Sequence, residues 1–97
     1  MPIDGKKLAA ALVLKGFRRE SERDHIWFRY YVNGKYSGVA TCMSHSRRAM
    51  KDIRGPLASK MKSQLRLDSS SQLDDLANCP MTAGMYAAHL RAKNIVP

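Results

Sequence analysis

The stretch His25-Ile26-Trp27-Phe28-Arg29-Tyr30-Tyr31-Val32, closed by Asn33-Gly34 and continued by Lys35-Tyr36-Ser37-Gly38-Val39-Ala40-Thr41-Cys42-Met43, decides the fold. Aromatic and β-branched residues fill most of the first eight positions, which suits a pleated, half-buried strand. Asn-Gly between two such runs is the preferred sequence of a two-residue type I′ turn, since both residues tolerate positive φ. The reading is a β-hairpin, with one strand over 25–32 and the next from Lys35 to about Met43.

Alternation divides the first strand into two sets. Ile26, Phe28, Tyr30 and Val32 form the core face; His25, Trp27, Arg29 and Tyr31 form the other. A two-residue turn pairs Val32 with Lys35, and an unbroken register then sets Phe28 against Val39 and Ile26 against Thr41 on the core side. On the opposite side it sets Tyr31 against Tyr36, Arg29 against Gly38, Trp27 against Ala40 and His25 against Cys42.

Outward from the hairpin, Phe17 to about Glu22 reads as a short polar edge strand anchored by Phe17. Before it, Asp4 caps a helix over about 5–15, with Leu8, Ala11 and Leu12 at helical spacing and Gly16 as the left-handed residue that ends it. After the hairpin, Gly55-Pro56 opens a helix whose Leu57, Met61 and Leu65 share one face. The Asp68-Ser69-Ser70-Ser71 cluster separates this part from two further helices, about 72–77 and, capped by Thr82, about 83–93. The fold class is α+β, an α-β-β-β-α unit with a three-stranded antiparallel sheet over residues 1–67 and a C-terminal helical extension over 68–97 packed on it. The first two helices of such a unit cover one sheet face and leave the other to solvent. The alternative is that the extension folds over that second face and makes Trp27 and Tyr31 ordinary core.

The 97 residues carry 17 Lys and Arg against 8 Asp and Glu, a net charge of +9. Residues 1–67 hold 15 basic and 5 acidic side chains, and residues 68–97 hold 2 and 3. The first part is thus the polyanion surface, suited to nucleic acid or an acidic protein. No apolar run reaches the roughly 18 residues of a membrane span, and the N-terminus lacks the pattern of a secretory signal, so a cytoplasmic protein without membrane contact is expected. Cys42 and Cys79 form no C-x-x-C pair, the three histidines are scattered, and neither a dinucleotide fingerprint nor a P-loop occurs. No metal site or cofactor is expected.

Aromatics beside cations on an uncovered sheet stack bases and hold phosphates, which makes Trp27, Arg29 and Tyr31 candidate RNA-binding residues. Arg47, Arg48, Lys51 and Arg54, with Lys60 and Lys62, extend them as a phosphate track; the alternative is a solvated helix face. His25 is the candidate catalytic residue, able to take a ribose 2′-OH proton or protonate a leaving oxygen. His45, in Ser44-His45-Ser46, is the candidate second acid or base, although a solvated histidine beside a helix-capping serine fits the same residues. His89, among apolar neighbours on the last helix, reads as structural.

Leu8-x3-Leu12-x3-Gly16-Phe17, then Asp24-His25-x2-Phe28, Val39-Ala40-Thr41 and Ile53-Arg54-Gly55-Pro56-Leu57-x3-Met61 together resemble the HicA-type mRNA interferase toxins of prokaryotic toxin–antitoxin systems. The resemblance spans about residues 6–67. It implies the double-stranded RNA-binding fold, metal-independent RNA endonuclease activity on mRNA with His25 as general acid or base, and a HicB-like antitoxin as protein partner. Family members carry Gly-Ser or a similar pair before the histidine, whereas this chain has Arg23-Asp24. Asp24 either orients the imidazole or repels a phosphate. The competing functions are a non-catalytic RNA-binding module with the same fold and a domain that docks only an acidic protein.

Overall fold

The computed structural model describes residues 3–44, 53, 55–78 and 81–96. Among them run helix α1 (Gly5–Leu14), strands β1 (Phe17–Ser21), β2 (His25–Val32) and β3 (Lys35–Ser44), then helices α2 (Gly55–Gln64), α3 (Ser70–Asn78) and α4 (Ala83–Ala92). The strands form one antiparallel sheet in the order β1-β2-β3. This is the expected α+β arrangement with a C-terminal helical extension.

The local signals act as the sequence implies. The Asp4 carboxylate accepts the Lys6 and Lys7 backbone N–H groups at 3.0 and 3.5 Å and starts α1. Gly16 ends it at φ 107°, and a Cβ there would also lie 3.1 Å from the Tyr30 ring. Thr82 caps α4 by accepting the Met85 N–H at 3.2 Å. Ile3 and Ile53 exchange backbone hydrogen bonds of 2.9 and 2.7 Å, which ties the entry of α1 to the segment before α2.

All four helices pack on the same side of the sheet. Phe28, Val39, Leu8, Leu12, Met61, Leu65, Leu73, Leu76, Tyr86 and Leu90 are almost wholly buried in a single cluster. Each such side chain contributes about 1.5–3 kcal/mol by leaving water. The extension joins this core rather than crossing to the other face. Tyr86 of α4 makes a ring trio with Phe17 and Tyr30 at centroid distances of 5.6 and 5.4 Å, and those two lie 5.0 Å apart.

The hairpin register departs from the unbroken one. Val32 pairs with Lys35 and Tyr31 with Tyr36, but Arg29 then pairs with Ala40, Phe28 with Thr41, Trp27 with Cys42, Ile26 with Met43 and His25 with Ser44. Ser37, Gly38 and Val39 therefore stand opposite Tyr30 alone. Gly38 takes φ 89°, and the Ser37 hydroxyl stitches the bulge by donating to the Tyr30 carbonyl at 2.7 Å and accepting the Val39 N–H at 3.1 Å. The slip is two residues, so every side chain keeps its expected face. Thr41 remains inside, where its hydroxyl donates to the Gln64 Oε1 at 2.8 Å.

Candidate nucleic-acid interface

The face opposite the helices is built by alternate residues of all three strands. β2 supplies His25, Trp27, Arg29 and Tyr31. β1, paired Arg18 to Arg29 and Glu20 to Trp27, supplies Arg18 and Glu20. β3 supplies Tyr36, Ala40 and Cys42, and the last two are too small to shield their neighbours. His25 is exposed, and Trp27, Arg29 and Tyr31 are half-buried. Their partial cover comes from one another, since the helices bury their apolar residues in the core on the other side.

Two cation–aromatic contacts order this face. The Arg18 guanidinium carbon lies 4.0 Å from the Tyr31 ring centroid, and that of Arg29 lies 5.0 Å from the Trp27 centroid. Both are within the distance at which a ring face attracts a cation. Tyr31 also meets Tyr36 at 5.7 Å. Trp27, Tyr31 and Tyr36 thus form an interrupted aromatic strip, with Arg29 between Trp27 and Tyr31 along β2 and Arg18 over the Tyr31 ring.

Arg29 differs from the free phosphate ligand expected of it. Its guanidinium donates to the Glu20 carboxylate at 2.9 Å and lies 3.6 Å from that of Glu22. The Glu20 hydrogen bond and the two negative charges hold it still more firmly in the charged form. A phosphate at Arg29 would compete with two carboxylates, so its immediate role is to brace Trp27. Arg18, not singled out from the sequence, is the exposed cation over the aromatic strip. Phe17-Arg18-Arg19-Glu20 has one apolar residue and no apolar alternation, so only the β1–β2 register places Arg18 on this face.

The His25 imidazole has no hydrogen-bond partner among the described residues, Asp24 included. His45, Arg47, Arg48, Lys51 and Arg54 lie outside the described residues. Lys60 is exposed and Lys62 half-buried on α2, on the helical side of the molecule. His89 is held structurally, with Nε2 2.7 Å from the Arg66 carbonyl and its ring stacked on Tyr86. Among the described residues no group of three metal-ligating side chains occurs, and no helix is long and apolar enough to cross a membrane.

In comparisons with known proteins, no family model matches the chain, and no curated protein or solved structure matches it either.

Proposed function

We propose that this protein binds single-stranded RNA on the open sheet face and, as the resemblance to HicA-type toxins implies, cleaves it at His25. The observation that supports binding is the set of Trp27, Tyr31 and Tyr36 rings interleaved with Arg18 and Arg29 on one sheet face. Unstacked bases lie on such rings, with stacking of about 1–3 kcal/mol per base, while cations hold the backbone between them. A duplex presents no free base faces to a flat sheet, so single strands are preferred.

His25 stands at one end of the strip, exposed and without a hydrogen-bond partner among the described residues, where a bound strand passes. As general base it takes the 2′-OH proton; the ribose oxygen attacks the adjacent phosphorus, the 5′-oxygen leaves with a proton from an acid or water, and a 2′,3′-cyclic phosphate results. The nucleophile belongs to the substrate, so the route needs no metal. A HicB-like antitoxin would act by covering this face.

The second reading, a non-catalytic RNA-binding module, is favoured by the absence of any group orienting His25 among the described residues. Trp27 is the chain's one tryptophan, so its fluorescence reports binding directly. Quenching by an unstructured oligoribonucleotide, together with a cyclic-phosphate product, supports the endonuclease. Quenching without product selects the module, and no quenching removes both.

A further inference from the structure

Beside the hairpin turn lies a cavity of about 440 Å³ lined by Val32, Asn33, Lys35, Tyr36, Ile95 and Val96. That is within the range of small-molecule sites, roughly 300–1,000 Å³. One wall is the turn itself, where Asn33 and Gly34 take φ 51° and 79°. The other comes from the far end of the chain. Helix α4 stops at Asn94 in the left-handed conformation (φ 59°), with the Asn94 N–H donating to the Arg91 carbonyl at 2.9 Å and the Ile95 N–H to the Leu90 carbonyl at 3.0 Å. This doubly bonded C-terminal turn reverses the chain and brings Ile95 and Val96 to the hairpin.

Tyr36 belongs to both places. It lines the cavity, and its ring lies 5.7 Å from Tyr31 on the open face. We infer that the cavity receives one unpaired nucleobase at the end of the strand bound along the sheet, with that nucleotide's phosphate at Lys35; the inference rests on the RNA-binding reading above. The walls suit such a ligand. Val32, Ile95, Val96 and the tyrosine offer apolar surface to a base's flat faces. Among the lining residues, the Asn33 amide can both donate and accept, and Lys35 supplies a cation. The C-terminal extension thereby takes part in binding, because Ile95 and Val96 form the second wall.

The test is a ¹⁵N–¹H correlation titration of the full chain with uridine 5′-monophosphate and with a uridylate octamer. Both are expected to shift the Lys35, Tyr36, Ile95 and Val96 amides, the octamer adding Trp27 and Tyr31. Lys35→Ala, an exposed change that leaves the fold intact, is expected to weaken the octamer about tenfold, the worth of one charge-assisted hydrogen bond. Ile95→Ser should weaken it as well. If the octamer shifts Trp27 and Tyr31 while Ile95 and Val96 stay still and Lys35→Ala binds like wild type, the pocket is refuted and the open-face reading stands. If the octamer does not bind at all, both fall.

Discussion

The Tyr86 hydroxyl donates to the Leu65 carbonyl at 2.9 Å, joining the last helix to the end of α2 inside the core. Leu65 follows the last turn of α2, where carbonyls lack helical partners, so the bond satisfies a group that burial would otherwise leave stranded. Tyr86→Phe keeps the ring trio with Phe17 and Tyr30 and removes only this bond. Urea unfolding should show a loss of about 1–3 kcal/mol, the cost of a buried acceptor left unpaired.

The same phenol makes stability fall in alkali. Burial, with a smaller push from Tyr30, raises its pKa well above the usual value near 10. The unfolded chain then loses the proton first as pH rises, so the contribution of Tyr86 is complete below about pH 10 and declines above it. Tyr86→Phe should flatten the decline between pH 10 and 11.5; an unchanged slope would assign it to other groups.

Lys15 is 5 % exposed, and its Nζ donates to the Leu76 carbonyl at 2.6 Å, so α1 closes the C-terminal turn of α3. A cation there also meets the negative end of the helix dipole. Lys15→Met retains the apolar stem and should lose about 1–2 kcal/mol by calorimetry, and Lys15→Ala should lose more because the stem packing goes too.

The two arginines of the open face should separate in their salt dependence. Arg18→Ala is expected to lower RNA affinity and reduce the slope of log affinity against log salt by about one phosphate contact. Arg29→Ala strips Glu20 of its hydrogen-bonded counter-charge and should weaken binding more, with recovery on adding Glu20→Gln. Equal loss in the single and double variants would make Arg29 a direct phosphate ligand.

If His25 transfers the proton, His25→Ala should lower the cleavage rate by about 10²–10⁴-fold, with affinity and thermal unfolding unchanged because the side chain is exposed. EDTA should leave the wild-type rate as it is. Cleavage by His25→Ala at the original rate would end the catalytic assignment.

Elements governed by local chemistry were legible in the sequence. The aromatic alternation of residues 25–32, Asn33-Gly34, the Asp4 and Thr82 caps and the Leu57-Met61-Leu65 spacing each act within a few residues, and the structure has the strand, turn, caps and helix that they imply. A register that runs unbroken from the Asn33-Gly34 turn holds no bulge, although Gly38 inside a strand run is itself a bulge signal. Arg18 and Glu20 were missed at the site since a short polar strand shows no apolar alternation of its own. The burial of Lys15 could not be foreseen, because its partner, the Leu76 carbonyl, lies 61 residues away.

The bulge at Ser37-Gly38-Val39 also sets how this hairpin can change length. An excess of two residues leaves Ala40 and Cys42 beside the aromatic strip and Thr41 and Met43 within the core. Removing one residue would turn the rest of β3 over and place the strip's neighbours in the hydrophobic interior. Viable insertions and deletions between Tyr36 and Ala40 should therefore come in pairs, and a library of loop lengths should yield folded protein at every second length.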